Sequence, residues 1–358
     1  MTSQQILQIL FSFLPFMVCL FWFITFFAQV RKSDEPKRFF MVYLLACVVL
    51  YLCHALFFTV GLSNETECLW TLCSLSVYPL FYGYLCRLTT ADYTMLRLLP
   101  WLVPGGVVAL AKYLFPEAGF DKVRLFLFAC QIVAVCYFGI RKLNAFDREL
   151  QSVYADMEGR ETTDVHHLLV AIIIVSVLSG VANSIGKHYF GESLWLLIPI
   201  SMAFSVMLFS LSYNCFCRNF TVDQYNLDVE GDGNEKFTMS AEDMEIIGSK
   251  VEELMLKQLY FKNKDLKINE IAKEIGSNRT YVSYYVNTVY NCFFSAYMNK
   301  MRVEYAKKLL LSKTKGGKIS KIAEESGFAS EQSFYRNFKK FVGMTPSDWL
   351  AMNEIETD

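Results

Sequence analysis

Seven apolar stretches constrain this chain more than any other feature, at roughly 7–29, 39–60, 68–88, 98–116, 123–141, 166–187 and 192–214. Hydrocarbon leaves backbone amides no water to bond, so about 20 apolar residues in a row cross a bilayer as a helix. Nearly all the apolar bias of the 358 residues, 54% hydrophobic and 19% charged, lies before residue 220. Many of the 31 Phe and 20 Tyr stand near the ends of these stretches, where an amphipathic ring can sit at the headgroups. The fourth stretch is the weakest, with Pro100, Pro104, Gly105, Gly106 and Lys112. Lys112 is near one end, from where its ammonium could snorkel to the interface. The N-terminal MTSQQ is uncharged and the first apolar run is long, so no cleavable signal peptide is expected.

Basic residues set the orientation. The first, third and fifth connections carry ten Lys and Arg, at 31, 32, 37, 38, 87, 97, 141, 142, 148 and 160. The opposite side has Lys122, Arg124 and Lys187, with Lys112 close by. The positive-inside rule then puts the odd connections and everything after Phe216 in the cytoplasm, and the N-terminus outside.

Chemistry within the stretches is sparse. Ionisable candidates are His54, Lys112 and the terminally placed His166, His167 and His188. His54 either reports protons or holds a ligand, or is a hydrogen-bonded packing residue. Pro15, Pro79, Pro199 and Asn183 either shape a ligand cavity or bend and pack the helices. The 11 Cys lie mostly in apolar segments (Cys19, Cys47, Cys53, Cys86, Cys130, Cys136), read as small hydrophobes, and Cys215 and Cys217 lack further ligands for a metal. No metal, cofactor or catalytic residue is expected: hydrolase, phosphate-loop and kinase motifs are missing, and all four His precede residue 189. Between Arg141 and Glu161, Leu143, Phe146, Leu150 and Val153 recur every three or four residues. This reads as a short interfacial helix that passes on a signal, or as a plain connection.

After Thr221 the composition changes. An acidic, Gly- and Asn-containing connector leads to Ser240, which, with Glu242 and Asp243, should cap a helix reaching about Tyr260. Then a segment recurs at an offset of 51: KINEIAKEIG at Lys267–Gly276 and KISKIAEESG at Lys318–Gly327. Each copy reads as a short helix with Ile and Ala inward, closed by a Gly turn and followed by a second helix. The second helices span about Arg279–Tyr290, with Val282 and Val286 inward, and about Glu331–Phe341, with Phe334 and Phe338 inward. Ala272 and Ala323 permit close crossing, and Gly276 and Gly327 make the turns. A connecting helix, about Phe294–Ser312, carries Tyr297, Met301, Tyr305, Leu309 and Leu310 at core spacing and spans about 27 Å. Such helix pairs are helix-turn-helix units, whose second helix enters the major groove, and two of them could read groove segments about 34 Å apart. From Lys257 to Lys340 there are 17 Lys or Arg against 7 Asp or Glu, a balance that favours a polyanion.

These motifs resemble the AraC/XylS family DNA-binding domain over about residues 250–350. The most specific part is GFASEQSFYRNFKKFVGMTPSDW, Gly327–Trp349; KINEIAKEIGSNRTYVSYYVN and SAYMNKMRVEYAKKLL carry the first half. The sequence departs from the family at Asn291 and Phe293, where Gly and a small residue are usual. The resemblance implies DNA binding through both second helices, regulation near promoters, and activation through RNA polymerase contact. The expected fold is all-α: a seven-helix polytopic sensor domain over 1–218, an acidic linker over 219–240, and a soluble domain with two helix-turn-helix units over 241–358. Expected partners are double-stranded DNA, the lipid bilayer, RNA polymerase, a small-molecule or protein signal, and a second copy of the chain. A multispan transporter with a regulatory helix-turn-helix module is the rival reading.

Helical phase selects the groove residues. In the first unit Thr280, Ser283, Tyr284 and Asn287 face the groove, and Arg279 clamps a phosphate near the helix start. In the second, Gln332 is suited to adenine, Arg336 to guanine or the backbone, Tyr335 shares the exposed arc, and Lys339 and Lys340 hold phosphates.

Overall fold

The computed structural model describes residues 3–31, 34–61, 63–116, 118–185, 194–218, 220, 222–229, 239–312 and 318–355. They are almost wholly α-helical and form two compact units: Met1–Ala145 with Thr162–Gln224, and Phe146–Glu161 with Tyr225–Asp358.

The first unit contains α1 (Ser3–Gln29), α2 (Glu35–Thr59), α3 (Asn64–Thr89), α4 (Leu99–Leu114), most of α5 (Asp121–Val153), α6 (Thr163–Ile185) and α7 (Leu194–Cys217). Asp34 accepts from the Lys37 amide and Ser63 from the Thr66 amide, so α2 and α3 open on side-chain caps. α2 packs against α1 and α3, α7 against α1 and α6, and α4 against α3. Interlocked rings fill the centre: Phe26 and Tyr84 flank Phe40 at 5.4 and 5.1 Å, and Trp22 meets Phe209 at 5.3 Å. Outside, Phe27, Leu110, Phe126, Val133 and Val206 are exposed, an apolar surface that water would penalise and lipid would not.

Among the described residues, six helices are long and apolar enough to cross a membrane, namely α1 to α5, with α4 counted from Met95, and the one that includes α7. The sixth stretch drawn from the sequence is α6. It runs 23 residues, Thr163–Ile185, and residues 186–193, with His188, lie outside the described residues. The fourth stretch is a continuous helix despite its composition. Pro100 occupies the first turn, where no amide is needed, and a Cβ at Gly105 would come within 2.9 Å of Leu75 Cβ on α3.

Lys112, at the end of α4, is buried and pairs with Glu67 at 3.1 Å and Asp121 at 2.9 Å, because the starts of α3 and α5 bring carboxylates there. Arg124 bonds the same Asp121 and stacks over Trp70 at 4.3 Å. Contrary to the sequence expectation, there is no separate interfacial helix after Arg141. α5 runs on to Val153, and Leu143, Phe146, Leu150 and Val153 are buried in protein. Arg87, at the end of α3, pairs with Glu35 at 2.8 Å and Asp223 at 3.0 Å. His54 is half-buried with its ring 6.1 Å from Trp70, and the Asn144 amide oxygen lies 2.9 Å from His166 Nε2.

The second unit contains the end of α5, α8 from Tyr225 on (α8 being Val222–Val229), α9 (Ala241–Leu256), α10 (Ile268–Glu274), α11 (Arg279–Tyr290), α12 (Phe294–Ser312), α13 (Ile319–Glu325), α14 (Glu331–Val342) and α15 (Pro346–Ile355). α8 falls inside the stretch expected to be an exposed connector; its Tyr225 is buried against Phe146, rings 5.9 Å apart. Ser240 and Asp243 form a reciprocal capping box at α9, which ends four residues earlier than expected, before a 3-10 turn at Tyr260–Lys262.

α12 is the central helix. Its deepest face is Phe294, Tyr297, Met298, Arg302, Val303, Ala306 and Leu310, so Met301, Tyr305 and Leu309 flank that face rather than define it. Arg302 is fully buried. Its Nε donates to Phe261 O at 2.7 Å and Nη2 to Asn263 O at 2.9 Å, clasping the 3-10 turn. Burial pushes its pKa down to about 10, with Asp156 and Asp265 opposing, so the guanidinium stays charged at neutral pH.

Candidate nucleic-acid interface

The two helix pairs close in the same way. At the first turn Gly276 N donates to Lys273 O (3.2 Å) and Ser277 N to Ala272 O (2.8 Å); 51 residues on, Gly327 N donates to Glu324 O (2.9 Å) and Phe328 N to Ala323 O (3.1 Å). Both glycines have positive φ, +69° and +89°, the conformation that satisfies a helix's last carbonyls. A polar cap then starts each second helix: Asn278 accepts from the Tyr281 amide and Ser330 from the Ser333 amide. Ala272 and Ala323 are buried at the crossings, as are Val282, Val286, Phe334 and Phe338 on the inner faces. Asn291 ends α11 at φ +49°, doing the work of a glycine with one of the few side chains that tolerate that region.

Those inner faces fix the outer ones. On α11, Thr280, Tyr284 and Asn287 are exposed and Ser283 is half-buried, within 3.5 Å of Asn287 Nδ2. Arg279 is half-buried and hydrogen-bonds the Tyr225 phenol, whose pKa burial raises and this bond lowers. On α14, Gln332, Arg336, Lys339 and Lys340 are exposed, whereas Tyr335 lies half-buried beside Phe334, rings 5.9 Å apart. Of the ten residues selected by phase, seven are therefore exposed, while Arg279, Ser283 and Tyr335 are half-buried.

The end of α14 also meets residues that sequence reasoning missed. Arg336 Nη1 lies 3.0 Å from Glu161 Oε1, Ser330 Oγ donates to Glu158 Oε2 at 2.7 Å, and the Ala329 amide to Asp156 Oδ2 at 3.4 Å. Three carboxylates within six residues were visible in the sequence; nothing local named their partner. The backbone beside them is anchored. Ala155 N donates to Leu266 O at 3.0 Å, Tyr154 bridges to Lys267, and the Tyr154 hydroxyl donates to Asp228 at 2.7 Å. Lys267 Nζ also bonds Asp228 at 2.7 Å. Burial alone would raise the Asp228 pKa, but the Lys267 and Tyr154 bonds outweigh it and hold the carboxyl below its usual range.

Residues 271–352 match the family described as a helix-turn-helix domain. The chain is 30% identical over 89 residues to the melibiose operon regulatory protein of Escherichia coli (strain K12), covering 25% of this chain and 29% of that protein. It is 33% identical over 92 residues to an uncharacterized HTH-type transcriptional regulator of Staphylococcus aureus (strain MSSA476), 26% and 12% of the two chains. An uncharacterized HTH-type transcriptional regulator of Pseudoalteromonas carrageenovora is 30% identical over 122 residues, 34% of this chain and 70% of that one. The match thus spans under a third of the Escherichia coli and Staphylococcus aureus proteins. No solved structure matches.

Proposed function

The chain belongs to the bacterial helix-turn-helix-type transcriptional regulators, which are non-enzymatic, and from that premise we propose that it is a membrane-bound, sequence-specific DNA-binding protein of the AraC/XylS kind. Its seven spans sit in the bacterial inner membrane with the C-terminal domain in the cytoplasm, and a signal sensed in or through the spans controls DNA binding. The observation that carries this reading is the repeated turn: two helix pairs with equivalent capping bonds, on either side of one 19-residue helix, each exposing a polar second helix. Thr280, Ser283, Tyr284 and Asn287 enter one groove segment and Gln332 and Arg336 the next, while Arg279, Tyr335, Lys339 and Lys340 support the backbone contacts. RNA polymerase and a second copy of the chain are the protein partners that go with this mode of action.

The transporter alternative needs a polar path through the spans. Buried Arg87, Lys112 and Arg124 instead lie near helix ends in ion pairs, an arrangement that favours a sensor scaffold.

Mapping DNA crosslinked to the intact, membrane-inserted protein across the genome tests the proposal. Discrete sites should share an asymmetric motif. Arg336→Ala should cost about 1 to 3 kcal/mol of cognate binding, whereas Lys340→Ala should weaken all sequences alike. Crosslinks spread without sequence preference would overturn it.

A further inference from the structure

Resting on the DNA-binding reading above, we infer that residues 156–161 are an autoinhibitory strap whose carboxylates occupy the DNA-facing end of α14, so that the strap must leave before this helix enters a groove.

A recognition helix meets base edges and phosphates with its N-terminal residues. In this chain that end is already engaged by anions. Glu158 takes the hydroxyl of the capping Ser330, Asp156 the Ala329 amide just before it, and Glu161 the Arg336 guanidinium. These are the kinds of donor that hold DNA phosphates, and at 3.0 Å from Arg336 Nη1 the Glu161 carboxylate competes with a phosphate or a guanine for that guanidinium.

The strengths of these contacts are graded in a way that suits a switch. Asp156 is buried and braced by the Glu158 amide at 2.9 Å, and Tyr154 and Ala155 are fastened to Leu266 and Lys267. Glu158 is exposed, and the Arg336–Glu161 pair is 52% and 35% exposed, so the contacts on the DNA-facing residues are the weak ones. Phosphates can displace them without unfolding the anchor. In the chain the strap leads straight from α5 into α6, so a shift in either helix would pull on it.

The test uses the full chain in phospholipid nanodiscs and a fluorescent duplex pool with a randomised core. The double variant Glu158→Gln, Glu161→Gln should bind about two- to thirtyfold tighter than wild type, the range expected from weakening two solvent-exposed charged contacts. Glu242→Gln, Glu245→Gln on α9 removes the same charge elsewhere and should bind like wild type. Hydrogen exchange at residues 156–161 should also rise when duplex is added to wild type. Equal affinities for the strap and α9 variants, or a strap that stays equally protected with duplex bound, would overturn the inference while leaving DNA binding intact. Failure of every form to bind duplex would overturn both.

Discussion

Gly276 and Gly327 occupy equivalent turns, yet substituting alanine should have unequal effects. Both have positive φ, so each alanine pays roughly 1 to 2 kcal/mol of backbone strain, offset by about 0.4 to 1 kcal/mol because alanine has less unfolded-state freedom to lose. At Gly276 nothing lies within 4 Å of a new Cβ, so the loss should stop near 1 kcal/mol. At Gly327 the Cβ would stand 2.6 Å from both Lys262 Cα and Lys262 O. Those are backbone atoms held by the Arg302 clasp, not the end of a flexible side chain, so overpacking should add about 1 to 3 kcal/mol. The difference between the variants is then about 2 kcal/mol, close to thirtyfold in an opening equilibrium. Native-state hydrogen exchange on the full chain can read it at the turn amides that bond Ala272 O and Ala323 O. Equal losses at the two turns, or a larger one at Gly276, would refute the argument from close approach.

Other consequences follow from the same geometry. Arg302→Met keeps the packing volume but strands the Phe261 and Asn263 carbonyls, and should lower the stability of the second unit by about 2 to 4 kcal/mol, read by denaturant-dependent exchange. Asp228 has a depressed folded-state pKa, so its contribution is complete above the unfolded carboxylate value and disappears as pH falls through the folded one. Asp228→Asn should therefore loosen exchange around Tyr154 and Lys267 at pH 7 and make little difference at the acid end of that window. Reporter fusions at Phe216 and Asp358 should behave as cytoplasmic and fusions near Glu117 or Tyr189 as external; an external Asp358 would reverse the proposed topology.

Local chemistry wrote much of this protein into its sequence. The apolar stretches, the Ser240 cap, the glycine turns and the helices Arg279–Tyr290 and Phe294–Ser312 are legible because caps, turns and helical periodicity act over one or two turns of chain. The inward residues of both second helices follow from that same periodicity. It misjudged α12, where apolar spacing passes over Arg302: a guanidinium belongs in a core only when carbonyls come to meet it, and these are 41 and 39 residues away. Lys112 is a similar case, since its carboxylates arrive from two other helices. The strap is the furthest from sequence reach. Glu161 and Arg336 are 175 residues apart, and no pattern near either names the other. Only the tertiary structure decided that contact, because an ion pair is set by where the backbone carries two charges, whereas a helix is set by the residues within it.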